Sequence, residues 1–467
     1  MFVKQLYTNC LSEAAYFIEA GGVAAVIDPL RDIDVYLDLA KEQNAVIKYI
    51  FETHFHADFV SGHLELAKAT GAQIIYGPNA ETGFETYVAK DNEEFAIGPL
   101  TLKVLHTPGH TLESSCYLLL DEQKAPYAVF TGDTLFVGDV GRPDLFSGNL
   151  TKEELAGHLF DSLNNKIKAL PDNVIVYPAH GPGSACGKNL GPNTYSTIGD
   201  EKSSNYALLA TDKQKFIEEV TSGLTTPPSY FPINARINKE GYDALQAVMD
   251  KALQPLTPAE FKKRTKEGAL ILDTRPATEF GDGFVPGSIS IGLEGRFAEW
   301  AGSLLPFDQE IILVTTPGKE EETVVRLARV GFDNVNGYLK GGYPAWEAAG
   351  EAKDLIITVE PDELAMDIPH DDHLVIVDVR KPAEYADGHI KNAISLPLGD
   401  MTDPGKLADF DDHQNLYVHC QGGYRSIIAC SILKREGIHN LRNVDGGYNK
   451  MKDEKGLEVV QEKNVLN

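Results

Sequence analysis

Short apolar runs, separated by polar and glycine-containing turns, set the pattern of this chain. Ala24-Ala25-Val26-Ile27-Asp28 and Ile47-Lys48-Tyr49-Ile50-Phe51 predict strands, and Gly62 to Thr70 predicts a short helix. Tyr127-Ala128-Val129-Phe130 predicts a strand that empties into Thr131-Gly132-Asp133. Val174-Ile175-Val176-Tyr177 predicts another, ending at Pro178-Ala179-His180. The first ~190 residues therefore alternate strand-like and helix-like segments, as mixed α/β sheets do. From about 191 to 255 the pattern gives way to Gly, Pro, Ser and Thr clusters, with Pro227, Pro228 and Pro232 close together. One helical stretch, Thr211 to Ser222, interrupts them. A tail and connector packing on the first domain is the expectation.

The remainder contains a repeat. ILDTRPATEFGDGFVPGSISI from Ile271 matches IVDVRKPAEYADGHIKNAISL from Ile376, an offset of 105. It pairs Asp273 with Asp378, Arg275 with Arg380, Glu279 with Glu384 and Gly283 with Gly388. The same offset pairs Gly341-Gly342-Tyr343 with Gly446-Gly447-Tyr448. A constant offset over such a length marks a duplicated domain, each copy a small parallel α/β fold.

A length of 467 residues predicts two to four domains. The reading is residues 1–255, 256–354 and 355–467. A formal charge of −27 gives no global attraction to nucleic acid or an anionic membrane. The N-terminal stretch lacks the apolar core of a signal peptide, and no apolar run is long enough to span a bilayer. Cys10, Cys116, Cys186, Cys420 and Cys430 are an odd number at spacings that fit neither a disulfide framework nor a zinc knuckle. A cytoplasmic protein is the expectation, and a homo-oligomer.

Leu416-Tyr417-Val418-His419 predicts a strand running into Cys420-Gln421-Gly422-Gly423-Tyr424-Arg425-Ser426, and Ile427 to Arg435 predicts a helix. A cysteine in a glycine-containing loop at a helix start sits among inward-turned N–H groups and positive helix potential, which favour a thiolate. Arg425 adds a permanent cation and a fork of donors for an oxyanion. Cys430, among apolar helix neighbours, reads as structural. Together with Asp378-Val379-Arg380, Glu384-Tyr385 and Gly388-His389-Ile390, this loop resembles the rhodanese family. The resemblance implies a persulfide carried on Cys420, with Gln421, Gly422, Gly423 and Tyr424 as the loop around it. The offset puts Thr315 at the cysteine position and Glu320 at the arginine position. The middle copy thus reads as structural, a spacer or an interface.

His54-Phe55-His56-Ala57-Asp58-Phe59 is similar to the metal-binding motif of the metallo-β-lactamase superfamily at five positions. At the sixth, Phe59 stands where two-metal hydrolases carry a histidine. Further candidate ligands are His110 in Thr107-Pro108-Gly109-His110-Thr111, Asp133 and His180. His63 and His106 read as ordinary polar residues. A mononuclear site leaves two readings: three histidines and a water around zinc, or two histidines and a carboxylate around iron. The N-terminal ~250 residues resemble the persulfide dioxygenases, relatives of glyoxalase II. That resemblance implies one Fe(II) per chain on His54, His110 and Asp133. It places His56, Asp58 and His180 in support, and turns Arg142 and Thr111 towards the thiol substrate. Cys186 reads either as a sulfur relay near the metal or as a loop cysteine without a role.

The whole chain resembles bacterial persulfide dioxygenase–sulfurtransferase fusions. This implies an αββα metallo-β-lactamase sandwich followed by two rhodanese-like α/β domains. It implies a low-molecular-weight persulfide (of glutathione, coenzyme A or bacillithiol, or a polysulfide) oxidised by O2 to sulfite. Sulfane sulfur would pass through Cys420 to or from sulfite or thiosulfate. The competing readings are a glyoxalase II-like zinc thioester hydrolase and a non-catalytic sulfur carrier.

Overall fold

Strand Glu13–Ala20 sends Ala14, Tyr16 and Ile18 to one face and Ala15 and Phe17 to the other, and all are buried. A strand buried on both sides reads as an unbroken apolar run and needs cover on each face. Two six-stranded sheets provide the inner cover. The first runs in the order Phe2–Thr8, Glu13–Ala20, Val23–Ile27, Val46–Glu52, Gln73–Tyr76, Tyr87–Val88. The second runs Ser196–Thr197, Ile175–Pro178, Pro126–Gly132, Ser115–Leu120, Leu100–His106, Glu94–Ile97. Tyr16, Phe51, Ile75, Val104, Tyr117 and Phe130 fill the space between them. Helices Asp34–Glu42 and His63–Thr70 cover the first sheet through Tyr36, Leu39 and Leu66. Helix Lys152–Ser162 covers the second through Leu159. The layers are therefore αββα.

This computed structural model describes residues 1–145, 150–224, 226–411 and 413–462. Its internal contacts divide the chain into two units: Met1–Ala247 with Val325–Asp333, and Val248–Val324 with Asn334–Asn467. The segment between the sandwich and residue 247 differs from expectation. Its described residues hold helices Ile198–Ser204, Tyr206–Leu209, Lys213–Thr221 and Phe231–Glu240 and the start of Leu245–Ala252. Three of these helices start at side-chain N-caps, Thr197, Asn205 and Asp212. Thr197 and Asp200 make a capping box, and Asn205 and Asp212 accept from Ala207 N and Lys215 N.

In the second unit the duplication keeps its register around strands Leu270–Asp273 and Leu374–Asp378. Leu270 pairs with Ile311 and Leu272 with Ile289; 105 residues on, Val375 pairs with Leu416 and Val377 with Ile394. Each half is a five-stranded parallel sheet. The residues shared by both halves build the fold. Arg275 is bonded to Asp273 and to Gly283 O, as Arg380 is to Asp378 and Gly388 O. Tyr343 lies 4.4 Å over Arg275 and Tyr448 lies 3.9 Å over Arg380. Among the described residues no helix is long and apolar enough to cross a membrane.

Candidate metal centre and cysteine loop

Four strands of the first unit end in candidate ligands. Val46–Glu52 leads to His54, Leu100–His106 to His110, Pro126–Gly132 to Asp133 and Ile175–Pro178 to His180. Ligand atoms of His54, His110 and Asp133 lie within 4.8 Å of one another, all on buried side chains. His110 Nε2 is 3.4 Å and His54 Nε2 3.8 Å from Asp133 Oδ2, and His180 Nε2 is 3.3 Å from Oδ1.

The far nitrogens set the rings. His110 Nδ1 lies 2.8 Å from Arg142 O and His180 Nδ1 3.3 Å from Ser12 O. A carbonyl only accepts, so Nδ1 of each carries the proton and Nε2 offers its lone pair towards Asp133. Thr53 donates its hydroxyl to Asp28 Oδ2 at 2.8 Å and can then only accept from His54 Nδ1 at 3.0 Å. Burial, with His56, His110 and His180 nearby, holds His54 well below the usual imidazole value, so it stays a neutral donor. Both Asp133 oxygens, Asp58 Oδ1 and His180 Nε2 are buried without a hydrogen-bond partner. Buried charge left so is costly unless it is paired or coordinates a metal, and this donor set fits one.

His56 joins neither His54 nor Asp133 in such a group. Its Nε2 sits 3.0 Å from Asp28 Oδ1 and 3.6 Å from Glu52 Oε2. His56 also groups with Asp58 and His180, whose Nε2 is 3.6 Å from Asp58 Oδ2. Burial raises Asp58 despite His180 and His56. Phe59 is fully buried, its ring against that of His56. His63, expected to be an ordinary polar residue, is buried with Nδ1 3.5 Å from Glu52 Oε1. Asp28 and Glu52 were not singled out in the sequence; a lone carboxylate at a strand end gives no periodic signal.

Arg142 and Thr111 are both buried and engaged. Arg142 grips Asp144 with Nε at 2.7 Å and Nη2 at 2.9 Å, and reaches Ala185 O. The Thr111 hydroxyl pairs with Ser114 at 2.7 Å. Cys186 is buried, and its Sγ groups with Asp133 and His180. Burial, then Asp58 and Asp133, push this thiol well up.

In the second unit, Cys420 Sγ accepts from Gly423 N at 3.1 Å at the start of helix Tyr424–Arg435. Gln421 is held by Arg380 and Asn449. Gly447, at φ 53°, passes so close beneath that a Cβ there would lie 2.3 Å from Cys420 O. Tyr448 N donates to that carbonyl at 2.7 Å; in the middle half a Cβ on Gly342 would lie 2.9 Å from Thr315 O, which accounts for the second glycine of the repeated Gly-Gly-Tyr. Tyr424 donates to Gly292 O of the middle half at 2.9 Å. The Arg425 fork, expected to hold an oxyanion, is closed on Glu384 at 2.7 and 2.8 Å. At the matching place in the middle half, Glu320 accepts from Gly318 N at 2.8 Å, and Thr315 is buried with its hydroxyl unpartnered. Cys430 is buried inside its helix, and burial pushes its thiol up.

Residues 8–180 match the family described as Metallo-beta-lactamase superfamily, and residues 257–349 and 360–454 match the Rhodanese-like domain. A probable hydroxyacylglutathione hydrolase of Schizosaccharomyces pombe is 35% identical over 162 residues, 34% of this chain and 59% of that protein. The chain thus spans under two thirds of the length of the curated relatives it matches. Among solved structures, a metallo-beta-lactamase from Staphylococcus aureus is 34% identical with a TM-score of 0.66, covering 73% of this chain and 99% of that one. ETHE1 from Myxococcus xanthus is 29% identical with a TM-score of 0.45, covering 51% of this chain and 98% of its own.

Proposed function

The chain belongs to the metallo-beta-lactamase superfamily and carries two rhodanese-like domains, and on that premise we propose that it is a bifunctional persulfide dioxygenase and sulfurtransferase. One observation carries the reading. His54, His110 and Asp133 converge as two imidazoles and one carboxylate, while His56 lies against Asp28 and Glu52. That set suits a ferrous ion better than the three-histidine set of a zinc hydrolase. Bound there, iron supplies the activation of O2 that side chains cannot perform.

The net reaction is persulfide, O2 and water giving thiol, sulfite and two protons. The chain's own residues prepare for it. Thr53, the Arg142 carbonyl and the Ser12 carbonyl fix the imidazole rings. Asp144 fixes Arg142, and so the loop that holds His110, and Arg142 with Thr111 faces the thiol substrate. In the second unit, Cys420 as thiolate attacks the outer sulfur of a persulfide. A new S–S bond forms, the old one breaks, and the thiol leaves with the proton. Sulfite then attacks the outer sulfur on Cys420, giving thiosulfate and restoring the thiolate. Sulfite is the product of one reaction and the acceptor of the other.

The test is metal content and O2 uptake on one sample, offered persulfides of glutathione, coenzyme A and bacillithiol and inorganic polysulfide. Iron and persulfide-dependent uptake are expected. Zinc, no uptake and cleavage of a thioester would sink the reading. That second reading, a zinc thioester hydrolase, draws on the likeness to hydroxyacylglutathione hydrolases and on Asp58 and His180 beside Asp133. Cys420→Ser should abolish thiosulfate formation and leave O2 uptake intact.

A further inference from the structure

The loop bearing the metal motif is held by partners far away in sequence. Asn238 donates to His56 O at 2.8 Å and Phe59 O at 2.7 Å, and accepts from Ser61 N. Glu113 accepts from Phe55 N. Val60 N donates to Arg329 O at 2.7 Å. The last partner belongs to Val325–Asp333, a segment flanked in sequence by residues of the second unit yet part of the first.

Two reciprocal ion pairs fasten that segment. Arg31, 1% exposed, reaches Asp333 Oδ1 at 2.5 Å and Oδ2 at 2.8 Å, and donates to Ala328 O at 3.1 Å. Arg329 returns the arrangement, with Nε at 2.7 Å and Nη2 at 2.6 Å from Asp32. Arg31 and Asp32 adjoin the backbone on which the metal loop ends. Leu30 and Ser61 form a bridge, Gly62 N donates to Pro29 O at 2.7 Å, and a Cβ on Gly62 would lie 2.1 Å from Leu30 O. A shift of Arg31 is thus passed to Ser61 and Gly62.

The rhodanese-like fold does not itself require the Asp333 carboxylate. Helix Glu320–Ala328 leads into Gly331 at φ 86° with Phe332 N bonded to Leu327 O; its counterpart leads into Gly437 at φ 91° with Ile438 N bonded to Leu433 O. The same turn in the other half is followed by His439 where Asp333 stands. The cap geometry is shared, while Asp333 is particular to the segment that meets the metal domain.

We propose that Val325–Asp333 is a positioning element for the metal loop, with Arg329 and Asp333 acting through Val60, Arg31 and Asp32. The inference rests on reading His54, His110 and Asp133 as a metal site. It gives the cysteine-less repeat a task other than sulfur transfer. The experiment uses the full chain loaded with Fe(II), and with Co(II) for its ligand-field absorption, and follows metal release to a chelator. Asp333→Asn and Arg329→Ala should each speed release about tenfold, the lower end of what loss of an outer support costs, and shift the Co(II) bands. Asp32→Arg with Arg329→Asp should recover most of the loss, and Arg329→Lys should fall between. Thiosulfate formation at Cys420 should stay at the wild-type rate, which verifies folding. Folded variants with wild-type release and wild-type Co(II) spectra overturn the positioning role alone. A wild-type chain that takes up neither metal overturns the underlying metal reading with it.

Discussion

The ring of Phe59 lies over the ring of His56, with centroids 4.3 Å apart and planes 33° from parallel. Phe59 offers no lone pair, and its stacking accompanies His56 against Asp28. Asp58, Asp133 and His180 sit close by with unpartnered donor atoms. Phe59→His should therefore raise the metal count from one to two per chain and add thioester hydrolysis at the expense of O2 uptake. Metal analysis of the purified variant decides it; a count that stays at one removes Phe59 from the account of nuclearity.

The ligand assignment makes graded predictions. His54→Ala, His110→Ala or Asp133→Ala should empty the site and stop O2 uptake, with sulfur transfer at Cys420 preserved. His56→Ala should weaken metal binding by only about 10–100-fold, as loss of an outer support does. A variant lacking His110 that still holds its metal, beside a His56 variant that does not, would reverse the assignment.

Closure of the Arg425 fork on Glu384 predicts that the loop's anion affinity is restrained. Glu384→Gln should free the guanidinium and lower the KM for thiosulfate about fivefold, since a partly exposed pair is worth about 1 kcal/mol. Arg425→Ala should raise that KM. Initial rates over a thiosulfate titration measure both, and an unchanged KM in the glutamine variant would show that the fork never opens.

His56 predicts the pH dependence of the metal-free protein. Burial alone would lower it, but Asp28, with Glu52 and Asp58, raises it from 6.5 to about 10. A group that binds its proton more tightly when folded stabilises fully below its unfolded value and loses that contribution as pH rises through its folded one. Chelator-treated protein should thus lose stability between pH 6.5 and about 10, and His56→Gln should flatten that decline. Denaturation midpoints across the range test it.

Much of this was legible in the chain. Strand ends carrying His54, Asp133 and His180 announce themselves because an apolar run followed by a ligand-type residue is a local pattern, whereas His110 was noticed without the strand that leads to it. The repeat announced itself through Asp273, Arg275, Gly283 and Tyr343, which prove to be the buried frame of each half. What escaped is non-local. Arg31 and Asp333 lie some 300 residues apart, and no window on the sequence joins them. Asn238 sits on a helix whose flanking prolines suggested a connector. Glu384 and Arg425 were both noticed, yet their pairing needed the sheet between them.

Glu320 gives the middle half an anion of its own. Its carboxylate already rests on Gly318 N–H, where the other half keeps the N–H of Gly423 for sulfur. Thr315→Cys alone should therefore yield an inert thiol, occluded by a built-in competitor that no dialysis removes. Recovering a second transfer centre needs Glu320→Arg as well. The middle half thus differs from its partner twice at this loop, once by Thr315 in place of the cysteine and once by a tethered carboxylate on the N–H that faces sulfur in the other half.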